Sequence, residues 1–336
     1  MATTTSVPLM ARRPAGARGL VWLVLRQHRT TARLALGLLA ALLVELVWLR
    51  LAMTGHLDAH PGLRTACATG TGGGDCAAGL AEQGDRFRAT YGDYLHYNGL
   101  LLQYLPTLTG LFVAGPMVAR ELENGTHRLV WAQSVTPLRW LVAKLAVPVV
   151  AVLAGVSALA AVYTWTWRAA PAALLPGQRW DHSFDMIGPA PVAGALLATA
   201  LGALAGLLVK RTVPAMGAAL VALGAVSWGL AGLRPRLVSP VTELSAEMPG
   251  LLRGPEDWVV ERGMVTETGA RIPEPYCGVG VSPGDCVSQH HAAGWYVDWH
   301  PGSHLWPLEW AEAGVGVALA AVFAGAAVWV VRRAHP

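Results

Sequence analysis

The stretch from Ala119 to Leu145, ARELENGTHRLVWAQSVTPLRWLVAKL, is a charged island between two long apolar runs, Leu100–Val118 and Leu141–Trp165. Crossing a bilayer's hydrocarbon core takes about 20 apolar residues in a helix, so the island reads as a polar connector between two membrane spans. The whole chain agrees: of its 336 residues 54% are hydrophobic and 14% charged, too apolar for an ordinary soluble domain. Four further stretches reach spanning length, Leu34–Leu51, Pro191–Val209, Val213–Leu233 and Ala313–Val331. The expected fold is therefore an all-α integral membrane protein with six transmembrane helices.

Charge fixes the expected orientation. The N-terminal arm carries Arg12, Arg13, Arg18, Arg26, Arg29 and Arg33 without an acid, which places it in the cytoplasm by the positive-inside rule. An even number of spans brings the C-terminus back to that side. The island, the Lys210/Arg211 turn and Arg332/Arg333 then also lie inside, so the cytoplasmic face holds fourteen of the 25 Lys and Arg but only Glu121 and Glu123 of the 21 acids. The basic balance thus reflects topology at the cell membrane and not nucleic-acid binding. Trp48, Trp165, Trp167, Trp306 and Trp310 fall near outer span ends and Trp140 and Trp329 near inner ones, where amphipathic rings prefer the headgroups.

The chain reads as a single membrane domain, 1–336. It divides into a cytoplasmic arm (1–33), spans one and two with their outer loop (34–118), the island (119–140), spans three to five (141–233), an outer loop (234–306), and span six with its tail (307–336). GLVWLVL from Gly19 lacks a cleavage site, and Leu20–Arg29 is expected to lie along the cytoplasmic interface as a helix. The first loop ends in positions near helical spacing, Phe87, Tyr91, Tyr94 and Leu95, which predict a helix leading into span two. Spans four and five are joined only by Lys210, Arg211 and Thr212 and must form a tight antiparallel hairpin. The outer loop after Arg234 is rich in Pro and Gly and reads as loops with short helices.

All four cysteines fall in the two outer loops, in pairs nine positions apart across turn-rich segments. Local disulfides Cys67–Cys76 and Cys277–Cys286 are favoured among three connectivities, with free thiols or a metal site as alternatives. His290, His291, His300 and His304 match no standard zinc spacing, so no metal is expected. Asp181 with Asp185, and Glu309 with Glu312, have no accompanying pocket or nucleophile and read as interface or loop carboxylates.

Within the island, helix two continues through Glu123 until Asn124-Gly125 supplies a left-handed stop. Thr126–Gln133 fits a two-turn helix, and Thr136-Pro137 supplies the N-cap and first turn of span three. His127, Arg128, Trp131 and Gln133 beside Leu129 and Val130 have the composition of a docking surface. A solvated connector with an interfacial Trp accounts for them equally well.

GLFVAGPMVARELENGTHRLVWAQSVTPLRWLVAKL from Gly110, FDMIGPAPVAGALLATALGALAGLLVKRTVPAM from Phe184 and HPGSHLWPLEWAEAGVGVALA from His300 resemble permeases of the type-two ABC exporter family, particularly those of actinobacteria. The resemblance implies that Glu121, Glu123, Gly125 and Thr126 belong to a coupling region that contacts a separate ATP-binding subunit; Arg128, Trp131 and Gln133 join it by their docking-surface composition. It also implies an N-terminal interfacial helix and two permease subunits, so a homodimer, or a heterodimer with a similar partner, is expected. The chain has no G-x-x-x-x-G-K-[ST] phosphate loop; TGTGGGD from Thr69 lacks the lysine. No catalytic residue is therefore expected here: ATP and Mg belong to the partner subunit. The expected cargo is a hydrophobic or amphipathic drug, lipid or peptide-like molecule moved outward. The alternative is a membrane sensor or assembly protein that signals to a cytoplasmic partner.

Polar residues inside spans are candidates for lining a route: Glu45, Gln103 and Thr107 with Tyr104, and Tyr163 with Ser157 and Thr164. Helix-to-helix hydrogen bonds explain them equally, and Glu45 has the further option of pairing with Arg50.

Overall fold

The computed structural model describes residues 29–64, 77–126, 136–172, 174–175, 179–246, 256–273 and 282–334. Its main elements are α1 (Arg29–Ala59), α2 (Ala77–Thr109), α3 (Gly115–Glu123), α4 (Pro137–Trp167), α5 (Trp180–Ser183), α6 (Ala190–Val209), α7 (Thr212–Leu233), β1 (Val241–Ser245), β2 (Trp258–Thr266), β3 (Arg271–Pro273), α8 (Pro283–Gln289), β4 (Ala292–His300) and α9 (Leu305–Ala334). Among the described residues six segments are long and apolar enough to cross a membrane: Ala32–Ala59, Glu82–Glu123, Pro137–Trp167, Ala190–Val209, Thr212–Arg236 and Gly302–Arg333. Each contains one of the spans read from the sequence. The second begins well before Leu100, as the helical spacing of Phe87 and Tyr91 requires; both rings pack in the core with Leu46, Met53 and Leu57 of α1.

The second span is not a uniform α-helix. Gly110–Ala114 forms a π-helical turn between α2 and α3. Pro116 follows at the start of α3 and brings no N–H to the ladder, and the wider turn before it accommodates that missing bond. The π turn lies against α6 at backbone distance. A Cβ added to Gly202 would stand 2.5 Å from the Gly110 carbonyl oxygen, one on Gly110 2.6 Å from the Ala198 oxygen, and one on Gly206 2.8 Å from the Gly115 oxygen. Ala198, Gly202 and Gly206 recur every fourth residue, so one face of α6 is almost bare backbone, the arrangement that lets helices approach closely in lipid.

A polar unit caps one end of the bundle, and here the structure corrects the all-α expectation. The segment after Arg234 is not loops with short helices alone: it builds a four-stranded antiparallel sheet in the order β1-β4-β2-β3. β2 and β4 concentrate β-branched and aromatic residues, among them Val259, Val260, Val265, Trp295, Tyr296 and Val297, which suit a pleated surface. The Pro and Gly that dominate the composition lie mostly between strands. Gly263 is an exception: its neighbours leave no room for a Cβ, which would meet the Ile272 oxygen at 2.2 Å. Met264, Cys286 and Trp295 form the small core of this unit, and Arg271 reaches across to Asp298 at 2.6 Å.

The sheet is fastened to the bundle by aromatics. Trp180 of α5 meets Trp258 edge-on with centroids 5.6 Å apart and donates its indole N–H to the Glu256 carbonyl. His300 Nε2 lies 3.1 Å from the Pro235 oxygen. The N-terminal interfacial helix lies outside the described residues.

Substituting Gly202→Leu is expected to destabilise the bundle by about 1–3 kcal/mol, the usual cost of overpacking, read as a lower unfolding temperature in detergent. Gly224→Ala, where a Cβ meets nothing within 4 Å, should leave it unchanged; equal effects would contradict the close approach.

Candidate functional site

Two places concentrate polar chemistry, one at each end of the bundle. The first is the end of α3. Its last residues follow the sequence expectation: the Asn124 N–H returns to the Arg120 oxygen at 3.0 Å, and Gly125 takes a left-handed φ of +69°. Across the gap, Thr136 caps α4 by accepting from the Arg139 N–H at 3.3 Å.

The two carboxylates of this end face the protein itself. Glu121 accepts from the Trp140 indole N–H at 2.8 Å and pairs with Lys144. Trp140 and Lys144 stand one turn apart on α4, so a single carboxylate bridges two positions of one helix face. Glu123 accepts from both the backbone N–H and the hydroxyl of Thr212, at 2.9 and 2.6 Å. Thr212 opens α7, whose N-cap Arg211 makes no side-chain cap bond, so Glu123 caps that helix from a distant part of the chain and complements its dipole. Thr126 donates to the Glu121 backbone oxygen at 3.4 Å. Beneath them Val118, Trp140, Leu141, Leu207 and Val331 form one apolar cluster. Spans two, three and five are thus tied at this end, on either side of 127–135. Arg128, Trp131 and Gln133, and with them the expected short coupling helix, lie outside the described residues.

The second place is a cavity of about 410 Å³ between spans two, four, five and six. Gln103 and Thr107 line it together with Tyr104, Pro106, Leu197, Leu223 and Ser227. The other route candidates, Glu45, Ser157, Tyr163 and Thr164, do not line it. Tyr163 is fully buried and donates its hydroxyl to the Leu95 oxygen at 3.0 Å. Glu45 accepts from the Asn98 amide at 3.0 Å, and Arg50 turns to Trp165, with the guanidinium 4.0 Å from its ring centroid.

Asp185 and Glu312 also line the cavity, at the end nearer the sheet. Arg234 binds Glu312 through two bonds, at 2.7 and 2.8 Å, and also reaches Asp185. One turn before Glu312, Glu309 is completely buried; its Oε2 accepts from the Ala190 N–H at 3.2 Å, and its Oε1 has no hydrogen-bond partner among the described residues. Gly188, at φ +60°, passes so close that a Cβ would lie 2.7 Å from Glu309 Oε2. The sequence reads these acids as interface or loop carboxylates with no pocket; the structure instead puts Asp185 and Glu312 on Arg234 at a cavity, which depends on three distant segments meeting.

In the sheet, burial and the bond to Glu261 both push the Tyr296 hydroxyl upward, and the bond to Asp298 holds Arg271 firmly charged. Burial lowers His300 below the ordinary 6.5, with the Pro235 carbonyl opposing and His304 assisting. His300 and His304 meet through their Nδ1 atoms at 2.9 Å. Among the described residues no three His, Cys, Asp or Glu side chains gather as a metal site requires. Cys286 is buried and disulfide-bonded; Cys67, Cys76 and Cys277 lie outside the described residues.

A family model described as "ABC-2 membrane transporter related" matches residues 36–234, more than half of the chain and all of spans two to five. No curated protein and no solved structure matches.

Two outcomes follow. Glu123→Ala should speed amide hydrogen exchange severalfold over the first turn of α7, because the Thr212 N–H loses its acceptor; unchanged exchange there would contradict the capping role. A histidine with a lowered folded value contributes stability that is full above its ordinary value and lost as pH falls through the folded one. The unfolding temperature should therefore decline as pH falls below the ordinary histidine value of about 6.5, and His300→Gln should flatten that decline; an equal slope in the variant would contradict it.

Proposed function

We propose a transport role on one premise: the chain belongs to the ABC-2 membrane transporter related family. It is a multi-pass membrane protein of the permease type, a transport component and not an enzyme. In our reading it is the membrane-spanning subunit of an ATP-driven exporter, with ATP and Mg bound and hydrolysed on a separate subunit. The observation that carries this reading is the pair of carboxylate ties at the end of α3. Because Glu121 ties span two to Trp140 and Lys144 of span three, and Glu123 ties it to Thr212 of span five, a push on the connector between spans two and three would reach three spans together.

The remaining assignments follow from that reading. The α3 end, with its Lys and Arg, faces the cytoplasm together with both termini, and the sheet faces outward. Residues 20–29 lie along the inner interface. Glu121, Glu123, Gly125 and Thr126 shape the docking segment, and Arg128, Trp131 and Gln133 touch the ATPase. Cys286 pairs with Cys277, and Cys67 with Cys76, on the oxidising side. A second copy completes the pathway as a homodimer, and the cargo is hydrophobic or amphipathic. The ATPase acts on the permease only through its different affinity for two arrangements of these spans.

Affinity purification from native membranes should bring down a Walker-motif ATPase, and Trp131→Ala should reduce its recovery by about tenfold or more while the permease is still produced, as loss of an aromatic anchor does. Recovery of the folded chain with no ATPase would contradict the reading, and ligand-dependent signalling without solute movement would favour a sensor instead.

A further inference from the structure

The cavity between spans two, four, five and six has a chemistry that selects by charge. Its wall is apolar, with Pro106, Leu197, Leu220 and Leu223, and Gln103, Thr107 and Ser227 add small polar points. At its sheet end two carboxylates share one guanidinium: Asp185 and Glu312 both bond to Arg234. Glu312 is spent on that pair, with its side chain only 8% exposed, whereas the side chain of Asp185 is 44% exposed. Arg234 cannot approach a guest freely, because it is held by both acids and lies 4.0 Å over the Phe184 ring. A guest entering from the apolar side therefore meets the reachable oxygen of Asp185 in a site with one more carboxylate than it has cations. The Tyr104 ring on the same wall offers a second attraction for positive charge.

We infer that this cavity binds a lipophilic cation, its apolar body between spans two, four and five and its charge at Asp185. This deepens the transport reading and depends on it for the word cargo, while the binding itself needs no partner subunit. A site with few polar groups at fixed places in an apolar wall is the usual form of a small-molecule pocket. An anion of the same shape would face the two acids, and a neutral guest would gain no charge-assisted contact from the exposed side of Asp185.

The test is equilibrium binding of tetraphenylphosphonium to the purified full chain in nanodiscs, beside tetraphenylborate, an anion of nearly the same size and shape. The cation should bind saturably above empty nanodiscs, and the anion should not. Asp185→Asn keeps the Glu312–Arg234 pair and should weaken cation binding by about tenfold. Gly224→Leu fills the cavity from span five, where a Cβ meets nothing within 4 Å, and should abolish binding with the acids untouched. Equal binding of the two ions, or cation binding that survives Gly224→Leu in a variant that unfolds at the wild-type temperature, would overturn the proposal. Because no ATPase is present, a failure here is separate from a failure of the exporter reading, which is decided by ATPase recovery.

Discussion

The contact on which the rest depends is backbone on backbone: α6 against the π turn at Gly110–Ala114. Only Ala198, Gly202 and Gly206 on one helix and Gly110 and Gly115 on the other let two main chains come so near in a setting where dispersion, not exclusion of water, holds helices together. That approach sets the position of α6 along its length. At one end it brings Ala190 under the buried Glu309 and Gly194 against Pro106, where a Cβ would lie 3.3 Å away. At the other end it sets where the chain turns at Lys210, which takes a left-handed φ of 56°, and so places Thr212 beside Glu123.

The carboxylates at the two ends of the bundle act differently because their surroundings differ. Glu121 and Glu123 sit where water still reaches and make directional bonds to side chains and a helix start. These ties keep their charges near water while the end moves as a unit, so no charge is carried into a dry interior. Asp185 and Glu312 bind Arg234 at the cavity, and Glu309 is buried one turn before Glu312, where an unbalanced charge costs far more. One end suits transmission of force and the other suits selection of a charged guest. The apolar cluster of Val118, Trp140, Leu207 and Val331 joins the first end to spans four and six, which form two walls of the cavity.

What the sequence disclosed follows from the range of the interactions concerned. Spans are local: about 20 apolar residues announce themselves, and each expected span lies within an observed one. The stop at Asn124-Gly125 and the Thr136-Pro137 cap are also local and stand where they were read. The sheet was not legible, because β2 and β4 stand among Pro- and Gly-rich segments and their pairing, Val259 with Trp299 for example, joins distant stretches. The partners of Glu121 and Glu123 were hidden likewise: Trp140, Lys144 and Thr212 were each visible, but only the packing of four helices brings them to the carboxylates. Small residues in α6 carried the reverse ambiguity, since composition alone gave them no partner and the structure gives them span two.

The central claim is that the α3 end moves as one tied unit and that its motion reaches the cavity. Spin labels at Arg120 and Arg211 report across the Glu123–Thr212 tie, and labels at Leu108 and Val221, both exposed, report across spans two and five beside the cavity. Distances should be measured in nanodiscs holding the permease with its co-purified ATPase, with and without ATP. The account expects the first distance to stay fixed while the second changes on ATP binding. A first pair that separates while the second stays still would contradict it.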